Sequence, residues 1–394
     1  MNSTTGKSST ADHVIIGAGV TGASIAFQLA QRKAGRIVVM DKGFVGQGNS
    51  CRSSALVRMH YAHAPEVQLA VLGYKIFSNW EEIVGRPTHF RRTGFVHITK
   101  RKYADRLRAN IEMQQANGAN TRLITSAELK DMEPDWNVED FDVAAYEPDS
   151  GYGDGAAVAT DFLERAREMG VEYRPQTFTQ SIDVKAGRAV GVTTDKGRIS
   201  TGSVVLATGP WTRPLLEPHG VDLPIEAEYH VVVILKNPSG MKDRGLTCID
   251  DITRTYFRQE GSGLTLVGGY DGDAGAHPDE FPQSASTDHM VELVIAASRR
   301  VPLLEEAGVA KNVTGIYDTT PDARPMLGKI PGIEGATCAI GLSGMGFKLA
   351  PGIGVVMSEL LLDGKGTSID IESFYPGRFA DGKPIRPETE YDDA

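Results

Sequence analysis

The stretch His13-Val-Ile-Ile-Gly-Ala-Gly-Val-Thr-Gly22 decides the architecture. His13 to Ile16 is an apolar run too brief for a helix and reads as a strand. Gly17-Ala-Gly-Val-Thr-Gly22 breaks it, and Ala23 to Arg32 then carries Ile25, Ala26 and Leu29 on one helical face. A second strand, Arg36-Ile-Val-Val-Met40, ends at Asp41. Strand, glycine turn, helix, strand and acid in that order make a βαβ unit suited to a dinucleotide. Gly17 permits the tight turn, Gly19 lets a pyrophosphate approach the backbone, and Gly22 allows close helix packing. Val20 and Thr21 complete the turn, where the helix N-terminus supplies free N–H groups and a positive dipole. Asp41 stands about 20 residues beyond the turn, where a carboxylate accepts ribose hydroxyl hydrogen bonds.

Outward from this unit, residues 42–64 are irregular and 66–84 show helical periodicity. Residues 88–99 read as a strand pair around Gly94, and 103–117 and 158–169 as helices, the latter ended by Gly170. Short β segments with turns at Ala186-Gly187 and Lys196-Gly197 lead into the strand 203–207. From about 225 to 318 the pattern is mostly β, interrupted by a helix near 287–299. Glycine-rich loops follow, then a final helix over 351–362 stopped by Gly364. Nucleotide-type segments thus alternate with β-rich ones. The expected fold is a Rossmann-like α/β domain of residues 12–85, 150–224 and 319–380, interleaved with a mostly antiparallel substrate domain of 86–149 and 225–318. Residues 1–11 are expected to be disordered and 381–394 to form a mobile, acidic tail.

The 394 residues are too many for one ordinary domain, and 41% hydrophobic with 23% charged is a globular composition. A net charge of -10 argues against nucleic acid or an anionic membrane as partner, although a small pocket can be locally basic. Three cysteines without a C-x-x-C pair argue against a disulfide framework and a zinc site, and point to a reducing, cytoplasmic setting. Cys51 is read as a small buried residue. Val14 to Gln31 carries no charge, yet its regularly placed glycines speak against a membrane span. His60, His63 and His230 fall near the presumed pocket without metal-ligand spacing, so no metal is expected.

Two further segments suit a nucleotide. Ser203 to Gly209 ends a strand in a small-residue turn, with Thr208, Gly209 and Trp211 placed beside a cofactor. Gly341-Leu-Ser-Gly-Met-Gly346 precedes the last helix and offers backbone N–H groups to an anion, with Gly344, Met345, Gly346 and Phe347 nearest. A second strand-linked G-x-G-x-x-G is absent, and three distant segments of this kind suit FAD better than NAD.

Gly17–Gly22 with Asp41-Lys42-Gly43, Gly46-x-Gly48, Arg52-Ser53-Ser54 and Arg58 resemble the glycine/D-amino acid oxidase superfamily of flavoproteins. Thr319-Thr-Pro-Asp322 and Gly341-Leu-Ser-Gly-Met-Gly-Phe-Lys-Leu349 are similar to its sarcosine oxidase branch, including β-subunits of heterotetrameric enzymes. The resemblance covers about residues 12–375 and implies FAD-dependent oxidation of an amino acid at a C–N bond. It implies that Arg58 and Lys348 hold the substrate carboxylate and that Tyr317 lines the amine end. Lys42, Gly48, Arg52, Ser53 and Ser54 fall on its cofactor side. The carry-over agrees with elementary chemistry, since a carboxylate needs a cationic fork and a neutral amine needs an apolar, aromatic wall. The expected substrate is an N-alkylated or cyclic amino acid; a 2-hydroxy acid is the enzymatic alternative, and a subunit passing electrons to a partner chain is another.

The chain also departs from that branch. Gly315 stands where a cysteine tethers flavin, so FAD is expected to be non-covalent unless a histidine such as His60 holds it. Thr265 best matches the position of an oxygen-activating lysine, leaving oxygen and an electron-acceptor protein both open. Met345 replaces a loop histidine, which implies a less polar pocket.

Overall fold

The computed structural model describes residues 9–242 and 245–391. The glycine turn sits at one end of a six-stranded sheet ordered Glu172–Arg174, Ile37–Met40, His13–Ile16, Val204–Leu206, Ala336–Ile340, Met326–Lys329. The first five strands are parallel and the last is antiparallel. Ile15, Val39 and Val205 face a helical layer, whereas Val14, Val38 and Val204 face a small sheet that includes Ile182, Val192 and Ile199. Burial on both faces explains why these strands are apolar throughout and do not alternate. Because the strands are parallel, everything that follows a strand end collects along one edge. Gly17–Gly22, Asp41, Thr208–Trp211 and the Gly341–Gly346 loop all lie on that edge.

A second, nine-stranded sheet takes strands from 95–147 and from 226–319. It is antiparallel except where Phe95–Ile98 runs parallel to Thr247–Asp250. Its outer face carries Val233, Leu235, Phe257 and Val267 against the helix Thr287–Ser298. Its inner face carries Phe95, Val232, Tyr256 and Leu266, packed with Leu56 and Tyr152.

Several elements differ from the sequence reading. Arg91–Arg92 and Phe95–Ile98 do not pair with each other: the first joins Gly151–Tyr152 in a three-stranded sheet, the second enters the large sheet. Gly94, at φ +78°, redirects the chain between them. The last helix runs Gly346–Asp363, five residues longer at its start, with Pro351 inside its second turn. A proline there forfeits one intrahelical hydrogen bond and so does not mark the helix start. Ser9–Thr10 pairs with Ile199–Ser200, while residues 1–8 lie outside the described residues. Where a mobile tail was expected, the chain stays on the protein surface to Tyr391, which is buried; residues 392–394 lie outside the described residues. Cys51 is exposed and not buried, since its short helical turn, Ser50–Arg52, buries none of its residues. Among the described residues no helix is long and apolar enough to cross a membrane.

Candidate functional site

The nucleotide edge is shaped by the absence of side chains. A Cβ on Gly17 would lie 2.3 Å from the Ala207 carbonyl oxygen, and one on Gly22 2.0 Å from the Gly17 carbonyl oxygen. Gly17 also holds φ +103°, which L-residues rarely adopt. These two glycines let the helix Val20–Gln31 start against the neighbouring strand. Gly19 is its N-cap and contributes no side-chain cap, and the first turn holds no acid. The hydroxyl of Ser50, which the sequence reading passed over, accepts from Val20 N at 2.9 Å.

Asp41 lies at this edge as expected, with its carboxylate already engaged: Oδ2 accepts from Ala18 N at 2.7 Å and Oδ1 from Gly43 N at 2.8 Å. A carboxylate has about four acceptor sites, so ribose hydroxyls can still bind. Lys42 and Trp211 meet away from the glycine turn. Lys42 Nζ lies 4.4 Å from the Trp211 ring centre, and both side chains hydrogen-bond Asp279 on the large-sheet side. A Cβ on Gly48 would lie 3.6 Å from the Trp211 ring. Arg52 reaches the large-sheet half, where Nη1 donates to Thr314 O at 2.7 Å and Nη2 to Gln283 at 3.1 Å. Ser53 accepts locally from Ala55 N, and Ser54 O accepts from Arg258 Nε at 2.6 Å. The Thr208 hydroxyl pairs with that of Thr212, and Gly209, at φ +50°, turns the chain toward Trp211.

The Gly341–Gly346 loop is held by a residue the sequence reading overlooked. Buried Asp318 accepts from Gly341 N at 2.7 Å, while its own carbonyl accepts from Ser343 N at 3.0 Å. Burial pushes its carboxyl up to about 6, against backbone N–H groups that favour the anion. Gly341, Ser343 and Gly344 all have positive φ, and a Cβ on Gly344 would lie 2.6 Å from the Tyr317 ring. The helix then begins at Gly346 with Met345 as N-cap, without a side-chain cap or an acid in its first turn. Phe347 points into the core beside Phe77, their ring centres 5.3 Å apart.

Lys348 is in the first turn of this helix and is buried. Gly73 of the helix Ala64–Ser78 lets its neighbour approach so closely that a Cβ there would lie 2.5 Å from the Lys348 carbonyl oxygen. Its Nζ donates to Gly344 O at 3.2 Å. Burial and then the charge of Arg58 hold this ammonium well below the ordinary lysine range, partly offset by Glu66. Arg58 stacks on Tyr61, 4.2 Å from the ring centre, and Nη1 donates to His60 O. Its Nε is buried with no hydrogen-bond partner among the described residues. The structure therefore brings half-buried Arg58 and buried Lys348 into one like-charged neighbourhood. Glu66, also missed by the sequence reading, sits fully buried beside them, 2.7 Å from Arg324 Nε. Burial pushes its carboxyl up to about 7, with Arg324 opposing the shift.

Tyr317 faces the same region from the large sheet. Its ring stacks on His230 with centres 3.9 Å apart, and burial with Tyr256 pushes its phenol well up. The Tyr256 hydroxyl and His230 Nδ1 are buried without hydrogen-bond partners among the described residues. A Cβ on Gly268 would lie 2.2 Å from the Tyr256 ring, so that glycine makes room for the ring. Thr265 does not face this region. It pairs with Leu235 on the outer face and donates to Asn237 at 2.7 Å, whereas Arg258 points inward and stacks on Tyr152. Alternation along these strands could have revealed this, since Thr265 shares its parity with outward Val267. Gly315 lies 3.4 Å, at its would-be Cβ, from Arg52 Cβ.

These residues fit FAD. Two helices start at one sheet edge without acid in their first turns, which favours an anionic pyrophosphate and an electron-rich ring. Between that edge and the large sheet lie unpaired buried polar atoms of Arg58, Tyr256 and His230, which call for a polar ligand.

The family described as "DAO: FAD dependent oxidoreductase" matches residues 12–360. The chain is 25% identical over 373 residues to 4-methylaminobutanoate oxidase (formaldehyde-forming) of Paenarthrobacter nicotinovorans, covering 92% of this chain and 45% of that protein. It thus spans less than half of that relative's length. It is 24% identical over 381 residues to sarcosine oxidase subunit beta of Rhodobacter capsulatus, covering 95% of this chain and 90% of that one. Among solved structures it superposes on L-proline dehydrogenase from P. horikoshii with a TM-score of 0.89 and 27% identity, covering 96% of this chain and 100% of that one.

Proposed function

The chain belongs to the DAO family of FAD-dependent oxidoreductases, and from that premise we propose that it oxidises the C–N bond of an N-alkylated or cyclic amino acid. The observation that carries this reading is the pairing of half-buried Arg58, whose Nε is buried and unpaired, with buried Lys348, whose like charges call for a carboxylate between them. Arg58 offers its unpaired Nε, and Lys348 is loosely held by a neutral carbonyl. An arriving carboxylate favours the protonated Lys348 and offsets the repulsion. Tyr317, backed by His230, presents an aromatic wall that orients a neutral amine and keeps water out. FAD, when bound, supplies the two-electron acceptor that takes hydride from the carbon beside nitrogen. No strong base is needed when the amine is already neutral, and Glu228 behind this wall is already engaged by His230 and Thr319. The imine product then hydrolyses, or stays cyclic for a proline-like substrate. FAD is held non-covalently in this reading, since Gly315 carries no nucleophile. The three unpaired cysteines support a cytoplasmic setting.

A second reading makes the chain a flavoprotein subunit that hands electrons to a partner. Similarity to a sarcosine oxidase subunit beta over 90% of that subunit's length favours it. Anaerobic mixing of the FAD-loaded protein with sarcosine, N,N-dimethylglycine, L-proline and lactate separates the substrate classes by flavin bleaching. Bleaching by an amino acid is expected, and bleaching by lactate alone would overturn the amine reading. Lys348→Met is expected to raise the half-saturating concentration about tenfold with FAD content unchanged, the size of one lost charge-assisted hydrogen bond; unaltered kinetics would remove Lys348 from the site. Rapid peroxide formation by the lone chain in air would rule out the obligate-subunit reading.

A further inference from the structure

The C-terminal segment from residue 385 to Tyr391 runs from Asp322 to the helix Ala104–Ala116 and to His97 of the large sheet. Ile385 N donates to Asp322 Oδ2 at 2.9 Å, Asn110 Nδ2 donates to Thr389 O at 3.0 Å, and Arg106 Nη1 donates to Glu390 O at 2.5 Å. The segment ends by burying the Tyr391 ring against Tyr103 and His97, with ring centres 5.6 and 5.5 Å apart. It reaches the cationic pair by two routes. The Tyr391 hydroxyl lies 3.1 Å from His60 Nε2, and the carbonyl of the same His60 accepts from Arg58 Nη1. Glu390 pairs with Arg324, which lies against Glu66, the carboxyl that favours the charged form of Lys348.

The Tyr391 oxygen also accepts from Asn110 Nδ2 at 3.1 Å, so the phenol is held between Asn110 and His60. Burial, with His97 and Arg58 adding to it, keeps the His60 imidazole neutral, and its Nε2 bonds the phenol in either tautomer. That bond holds the ring in one orientation. Its backbone carbonyl, two residues along from Arg58, is fixed with it.

We infer that Tyr391 is a positioning residue for the carboxylate site, holding His60 so that the His60 carbonyl aims the Arg58 guanidinium. The inference rests on the reading of Arg58 as the cation that binds carboxylate. A segment with the composition of a loose tail thereby becomes part of the support of the site.

The test uses the full chain loaded with FAD and pyrrole-2-carboxylate, a planar carboxylate without an oxidisable C–H beside nitrogen, titrated by flavin absorbance. Tyr391→Phe removes the hydroxyl and keeps the ring contacts. It is expected to weaken binding about fivefold, the size of one net hydrogen bond, with FAD content and melting temperature unchanged. Arg58→Lys is expected to weaken binding more, and the double variant no further than Arg58→Lys alone, because the two act through one group. Parent-like binding by Tyr391→Phe, or losses that add in the double variant, would overturn the role of Tyr391. Undiminished binding by Arg58→Lys would instead overturn the reading of Arg58, and with it the route through His60.

Discussion

An added Cβ on Gly22 would lie 2.0 Å from the Gly17 carbonyl oxygen, whereas at Arg58 the decisive feature is a guanidinium Nε with no partner. The nucleotide edge is built from backbone, held apart by missing side chains. The proposed carboxylate site is built from side chains, drawn from residues 58, 66, 317 and 348 in separate stretches of the chain. The first kind of site tolerates almost no added volume but needs few charges. The second holds Glu66, Lys348 and Arg324 buried together, so its energetics are electrostatic and depend on protonation.

The sharpest way to break this contrast is Gly22→Ala. The clash is with backbone, which cannot swing aside, so the turn must open; about 3 kcal/mol or more of stability is expected to go with it. Flavin absorbance per chain should fall far below that of Gly48→Ala, where the nearest contact, the Trp211 ring, is an ordinary 3.6 Å away. Equal flavin content and equal melting temperatures in the two variants would show that the edge is not backbone-limited.

The same contrast explains what could be read from the chain in advance. A glycine pattern specifies backbone geometry directly, so Gly17, Gly19 and Gly22 announced the sheet, the helix and the edge together. Arg58, Lys348 and Tyr317 came from resemblance, and the structure gathers them into one region. Glu66, Asp318 and Arg324 gave no signal, because a buried carboxylate or guanidinium looks like a surface one until its neighbours are known. For a related reason, the place of Arg52 beside the glycine loop says nothing of its reach to Thr314. Thr265 was matched by position, and only strand parity shows that it faces outward. The tail beyond residue 380 looked solvated by composition, yet Tyr391 and Glu390 find buried partners far away in sequence.

Asp318 lies where the two kinds of site meet, a buried carboxylate whose function is to hold backbone. Its carboxyl is raised in the folded protein to about 6 from an ordinary 3.8. A group raised on folding contributes stability that is full below its unfolded value and is lost as pH climbs through its folded value. Asp318 should therefore make the protein less stable above about pH 6 than below about pH 4, by about 3 kcal/mol at 1.36 kcal/mol per unit. Asp318→Asn keeps an acceptor for Gly341 N–H and removes the titration. Urea unfolding across this range should show a flatter pH dependence for the variant. Parallel curves would mean that the loop is held without a buried charge, and that the backbone edge is free of the electrostatics that govern its neighbour.

Asp279 offers the smallest and most discriminating comparison, because it joins the two halves at the surface. It accepts from Trp211 Nε1 at 2.9 Å and pairs with Lys42, both on the nucleotide edge. The Lys42 and Asp279 side chains are 38% and 53% exposed, so water competes for both and the pair falls in the range of about 0–1 kcal/mol. Asp279→Asn should lower stability by less than about 1 kcal/mol, and the difference should shrink in roughly molar salt, where the Debye length is about 3 Å. FAD content should be unchanged. A loss of several kcal/mol, or a loss of flavin, would mean that Lys42 and Trp211 depend on Asp279 to present themselves to the cofactor. Side-chain positioning would then reach into the edge that the glycines define, and the division between a backbone-built and a side-chain-built site would have to be drawn nearer to the Gly17 turn.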